Sequence, residues 1–256
     1  MRTTFSSLGK VAAAAAVLLG VATSAHSTVR LDLTDVTGGT SLTCDTAFLI
    51  SATNCSVAAG FSIIGSGAGI RFEGTVGGFT VFTTTFASNV PGTATAALLN
   101  GSTTLVTRTA AGQGDLRIDL AGFGYTLPAG PVKTLRGSAS LTSSDNTFGA
   151  TDLVFSQFVA NPDNAFPIPG TDPTRQCSMS ISSSANCSTG SIEWFDPLGG
   201  TFSMRDVQLI RLSSGRTVNT TISGTVGAVP EPMTLSLVGA ALLAAAGVAR
   251  RRASKA

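Results

Sequence analysis

Asp115-Leu116-Arg117-Ile118-Asp119-Leu120 places an apolar residue at every even position and a charged one at every odd position. Side chains alternate faces along a strand, so the pattern predicts a β-strand with one dry and one solvated side. Ile70 and Phe72 alternate in the same way with Arg71 and Glu73, and Leu31 and Leu33 enclose Asp32. Strand-like runs follow at Phe79 to Phe86, Thr103 to Thr109, Val132 to Leu141, Leu153 to Val159, Thr201 to Leu212 and Arg216 to Val226. Turn signals separate them at Gly38-Gly39, Gly77-Gly78, Pro91-Gly92, Asn100-Gly101, Asp145-Asn146, Gly199-Gly200 and Ser214-Gly215. About ten to fourteen short strands at this spacing predict an all-β, antiparallel β-sandwich, jelly-roll-like, over residues 28–228. No fixed repeat period supports a solenoid.

The two ends of the chain have a different character. Met1 to Ser27 carries Arg2 and Lys10, an apolar core from Val11 to Ala22, and then Thr23, Ser24 and Ala25. This order is that of a secretory signal helix cleaved close to Ala25. At the other end, Val229-Pro230-Glu231-Pro232 is followed by 17 uncharged residues, Met233 to Ala249, and then by Arg250, Arg251, Arg252 and Lys255. As a helix the run spans roughly 26 Å, close to the about 30 Å of a bilayer core. Basic residues on the outer flank of each apolar segment place both flanks in the cytoplasm and everything between them outside.

The last 28 residues resemble the PEP-CTERM sorting signal of Gram-negative bacteria in the order and spacing of the Val-Pro-Glu-Pro motif, the short helix and the triple arginine. The resemblance implies recognition by a membrane protease-transpeptidase, an exosortase, that removes the helix and releases the protein at the cell surface or beyond. It also implies association with exopolysaccharide and biofilm matrix. Physically, the prolines on either side of Glu231 forbid a helix there and hold the segment extended at the membrane surface.

Discarding both ends changes the charge of the chain. The precursor has 16 basic and 14 acidic residues, whereas residues 28–228 keep 10 and 13, a net charge of −3. Basic residues form no cluster there, which argues against a nucleic-acid partner. The sole histidine, His26, lies at the cleavage site, removing the usual general base and the commonest zinc ligand together. No metal or other cofactor is expected. Cys44, Cys55, Cys177 and Cys187 allow three pairings, of which the two local loops cost the least chain entropy. An exported chain favours disulfides over a zinc site, for which no CxxC knuckle is present.

Asn161 to Thr174 contains Pro162, Pro167, Pro169 and Pro173, which exclude helix and central strand and predict a long ordered loop rather than an inter-domain linker. Gly65 to Gly69 alternates glycine with small residues but leads into no helix, so it is read as a hairpin connection.

No nucleophile or phosphate-loop motif is present. Glu73 and Glu193 are the only glutamates of the body and would have to converge for glycoside hydrolysis. Asp32 with Asp35, or Asp115 with Asp119, match no calcium-ligand loop. The recognition candidate is Glu193-Trp194-Phe195-Asp196. Exposed, the sole tryptophan between carboxylates would grip a sugar ring; buried, it would anchor the core with Phe195 facing the other way. The expected function is that of an exported, non-catalytic surface or matrix protein that binds polysaccharide or neighbouring proteins. The alternatives are a secreted carbohydrate-active enzyme, marked by two carboxylates in one pocket, and an ice-binding protein, marked by a flat ladder of threonines.

Overall fold

The computed structural model describes residues 28–46, 55, 59–65, 69–143, 152–162, 164–181, 184–195 and 200–229, without the side chains of Thr83 and Thr104. The signal helix, the helix expected at 233–249, and Pro230, Glu231, Pro232, Arg250, Arg251 and Arg252 lie outside them. Among the described residues no helix is long and apolar enough to cross a membrane.

The described chain is all-β. Its strands are β1 (Thr28–Asp35), β2 (Thr40–Asp45), β3 (Phe61–Ile64), β4 (Gly69–Val76), β5 (Phe79–Ser88), β6 (Ala96–Arg108) and β7 (Gly114–Tyr125). They continue as β8 (Val132–Thr142), β9 (Leu153–Asn161), β10 (Thr174–Ser180), β11 (Ser184–Ser188), β12 (Ile192–Phe195), β13 (Phe202–Leu212) and β14 (Thr217–Ala228). Six of them form a sheet in the order β10-β9-β13-β7-β1-β2. The others form a second sheet, β11-β8-β14-β6-β5-β4-β3, with β12 continuing the β11 edge along β8. Every named pair is antiparallel. From β6 onward the chain mostly changes sheet at each connection, so β6 contacts β7, β8 contacts β9, β10 contacts β11 and β13 contacts β14 across the core.

Strand β7 contains the stretch that predicted the class. Leu116, Ile118 and Leu120 are buried in the core, and Asp115, Arg117 and Asp119 lie on the opposite face of the six-stranded sheet. The core is built around aromatic rings from both sheets: Phe61, Phe72, Phe79 and Phe86 from one, Tyr125, Phe158 and Phe202 from the other. Burying each such ring is worth about 1.5–3 kcal/mol relative to exposure.

Asn100-Gly101, expected as a turn, lies inside β6. Gly101 is paired with Phe86 of β5, and a Cβ on it would sit 2.2 Å from the Phe86 ring. The glycine makes room for an aromatic side chain, and its backbone stays in the ladder. Gly137 of β8 does the same between sheets, where a Cβ would fall 2.0 Å from the ring of Phe158 on β9.

Both disulfides are formed, Cys44–Cys55 and Cys177–Cys187. Cys177 lies on β10 and Cys187 on β11, the edge strands at one side of the two sheets. Cys44 lies on β2, the far edge of the six-stranded sheet, and Cys55 on the connection to β3, the far edge of the other. Each open side of the molecule therefore carries one covalent clasp.

Asp206 is an acidic side chain enclosed between the sheets with one oxygen unsatisfied. Asp206 of β13 is 1% exposed and accepts a hydrogen bond from Gly224 N–H of β14 at 2.8 Å, while its Oδ1 has no partner. Burial pushes its carboxyl well above the ordinary value of 3.8, the Gly224 N–H opposes this, and the nearby Asp119 charge adds to it. The folded chain thus binds this proton more tightly than the unfolded chain. Stability from this group is complete below the ordinary carboxyl pKa and declines as pH rises above it. Asp206→Asn is expected to flatten the decline and to raise the thermal midpoint at neutral pH by about 2–4 °C. Melting curves from pH 4 to pH 8 test this; parallel curves for the two proteins would contradict it.

Candidate functional site

The outer face of the six-stranded sheet carries the charge that the alternation put there. Strands β1 and β7 are in a register that sets Asp32 directly opposite Asp119 and Thr34 opposite Arg117. Two carboxylates across a strand pair repel, with Cβ atoms about 4.5–5.5 Å apart. Three arginines offset the repulsion. Arg30 Nε donates to Asp32 Oδ2 at 2.8 Å, and Arg117 Nη2 donates to Asp119 Oδ2 at 2.9 Å, each from two residues along the same strand. From β13, Arg205 Nε donates to Asp119 Oδ1 at 2.7 Å and its Nη2 donates to Asp119 Oδ2. Asp119 and Arg205 are each only 7% exposed at the side chain.

The proline-rich segment 161–174 closes one side of this face. It leaves β9 and returns as β10, its neighbour in the same sheet, and so forms the loop that its prolines predicted. Its two ends are tied where Asn161 Nδ2 donates to the Asp172 carboxylate at 3.1 Å and Ile168 N–H donates to Asp172 Oδ2 at 2.6 Å. Arg205 Nη1 donates to Pro167 O at 2.8 Å, and the Phe166 ring lies 4.5 Å from the Arg205 guanidinium and 5.3 Å from that of Arg30. Between the loop and strands β1, β2 and β7 is an open cleft of about 500 Å³, whose far wall is Ser41 and Thr43 of β2.

The sequence-predicted residues lie elsewhere. Trp194 of β12 points inward, 8% exposed and edge-on to Phe202 at 6.2 Å, so its indole presents no exposed stacking face. Glu193 and Phe195 face outward, Phe195 at 64% exposure, and Asp196 is outside the described residues. Glu193 and Trp194 are therefore not gathered into one patch, because they occupy opposite faces of their strand. This is the buried alternative weighed for Trp194. Glu73 of β4, ion-paired with Arg71, is separated from Glu193 by five strand steps of the eight-stranded sheet, about 24 Å, too far for paired catalysis.

The aspartates considered for calcium are held by protein donors. Asp35 turns inward and is capped by the N–H groups of Gly38 and Gly78, both at 2.8 Å, with Arg108 at 3.4 Å. Burial disfavours its charge, but those donors and the guanidinium outweigh burial and hold its carboxyl below the usual range. Asp32 faces the opposite way, and Asp115 is bound through two hydrogen bonds by Arg211. Thr84 is buried, while Thr93 and Thr95 bond each other in a connection, so these threonines form no common outward ladder. One outward row across the eight-stranded sheet mixes residue types: Asn186, Ser140, Thr221, Ser102 and Thr85.

No family model and no curated protein sequence matches the chain. Similarity to solved structures is weak. The enzymatically active domain of bacteriophage CBA120 tailspike protein 4 is 9% identical, with a TM-score of 0.28, over 55% of this chain and 19% of that one. The arabinose-bound MgGH51 α-L-arabinofuranosidase is 11% identical, with a TM-score of 0.22, over 58% and 23%. The infectious bursal disease virus VP2 subviral particle is 8% identical, with a TM-score of 0.13, over 81% and 62%. The chain thus spans about a fifth of the length of the first two, and TM-scores this low carry no argument about function.

Proposed function

We propose that this chain is an exported, non-catalytic surface or extracellular-matrix protein, held briefly at the inner membrane by helix 233–249 and cut free there by an exosortase. Its body binds exopolysaccharide. The observation that carries the export reading is the pair of disulfides, one on each open side of the sheets, which form and persist in oxidising compartments. We read the order β11-β8-β14-β6 over β10-β9-β13-β7 as a jelly roll, widened by β1-β2 on one sheet and β5-β4-β3 on the other. Thr28 pairs with Phe123 and Ala228 with Lys133, on either side of the β7–β8 connection. Both ends of the body therefore leave from one end of the molecule, which suits a domain tethered by its tail and standing away from a membrane.

Mass spectrometry of the extracellular product tests the sorting route. The expected product begins near Ala25 and lacks the segment from Met233 onward. Peptides containing Val238 still joined to the mature chain would overturn exosortase processing.

One observation favours the second reading, a secreted carbohydrate-active enzyme: Asp32 and Asp119 line one cleft and stand directly opposite each other across β1 and β7. Against it, both oxygens of Asp119 are engaged by Arg205 and Arg117, which leaves neither free to attack a glycosidic carbon or to protonate a leaving group. Hydrolysis of a polysaccharide by the exported protein, lost in Asp119→Asn, would establish the enzyme instead.

A further inference from the structure

We infer that the cleft between the proline-rich loop and strands β1, β2 and β7 is a binding site for neutral sugar rings, the hexopyranose units of a polysaccharide. This rests on the polysaccharide reading above and names both the place and the ligand chemistry.

The groups around the cleft divide by exposure into support and contact. Asp119 and Arg205, at 7% each, are locked to one another and to the loop. Arg30 and Arg117 are 38% and 42% exposed at the side chain, so their guanidinium groups reach the cleft while one N–H of each holds its own aspartate. Asp32 has one oxygen bonded to Arg30 and the other, Oδ1, buried with no donor. Phe166 supplies an apolar wall, and Thr43 stands opposite Asp32 on the far side.

A vicinal diol answers this arrangement. One hydroxyl donates to Asp32 Oδ2, which accepts a single bond from Arg30 and keeps a second lone pair, and the lone pairs of its neighbour accept from Arg30 or Arg117. The C–H face of the same ring rests on Phe166. The volume of about 500 Å³ lies within the about 300–1,000 Å³ usual for small-ligand sites, and the open outer face lets a longer chain run through.

Other ligand classes fit less well. An anionic group would satisfy the arginines but would be repelled by the Asp32 carboxylate that lines the same cleft. A divalent cation would meet three guanidinium groups around the two carboxylates. Among the described residues no cluster of three or more metal-ligating side chains occurs.

The test uses protein exported from the full-length chain and an array of defined neutral hexose oligosaccharides and uronate oligosaccharides. Wild type is expected to bind neutral members. Asp32→Asn and Arg117→Met are each expected to weaken that binding at least about tenfold, with thermal midpoints within a few degrees of wild type. Arg71→Met, on the outer face of the other sheet, is expected to leave it unchanged. Equal binding by wild type and both cleft variants would overturn this site while leaving the polysaccharide reading intact. Binding confined to uronates would overturn the neutral assignment. Binding of no glycan at all would overturn both.

Discussion

Arg205→Met is expected to cost the fold about 3–5 kcal/mol, the usual result of removing one partner from a buried ion pair. The reason lies in what Arg205 leaves behind. Asp119 is 7% exposed and would keep only Arg117, itself 42% exposed, as a counter-ion, directly across the strand pair from Asp32. Pro167 O would lose its donor, and Phe166 would lose the guanidinium packed 4.5 Å from its ring. Loop 161–174 is thereby tied to sheet stability, and limited proteolysis in that loop should accelerate along with the loss seen in urea melts. A double variant, Arg205→Met with Asp119→Leu, should regain much of the loss, because burying neither charge avoids the desolvation that the single variant leaves uncompensated. A single variant less than about 1 kcal/mol below wild type would show that the pair contributes little here.

Reducing both disulfides is the second large effect. Each closes a loop of about ten residues, worth about 2–3 kcal/mol in the chain-entropy account, so the two together approach 5 kcal/mol. Domains are stable by about 5–15 kcal/mol in all, so the reduced chain should be marginal. The position of the clasps adds to this. Strands β10 and β11 are built from TRQCSMS and SANCS, which contribute few apolar side chains to the core. Little besides Met179, the partly buried cysteines and the backbone ladder holds these edges once the bond is cut. Denaturation curves with and without reductant measure the effect, and thiol titration of the unfolded, unreduced chain should find none of the four cysteines free. Coincident curves under the two conditions would contradict the prediction.

Period-two alternation is a local signal, and it is strongest where one face of a strand is dry and the other wet. Phe79 to Phe86, Val132 to Leu141, Leu153 to Val159, Thr201 to Leu212 and Arg216 to Val226 were legible for that reason, and each falls within or almost within a strand. The edge strands β10 and β11 escaped notice because an edge buries few side chains and so writes little alternation. The turn expected at Asn100-Gly101 failed because glycine marks either a bend or a missing side chain, and only Phe86 on the neighbouring strand decides which. The two disulfide pairings were favoured by short loops, a property of spacing alone. Their role as clasps on opposite sides depended on which strands became edges.

The candidate site divides along the same line. By itself the sequence determined that Arg30 and Asp32, and likewise Arg117 and Asp119, share a strand face, because two residues apart on a strand means the same side. It also had Phe195 facing away from a buried Trp194, and left open whether that indole was buried or exposed. Tertiary structure alone decided which side met the core, which strand lay beside which, and that Asp32 stands opposite Asp119 with Arg205 and Phe166 closing over them. Alternation fixes the relative direction of neighbouring side chains through local backbone geometry. Register and facing are set by pairing between segments far apart in the chain, where the energy of burying the whole apolar set outweighs any local preference.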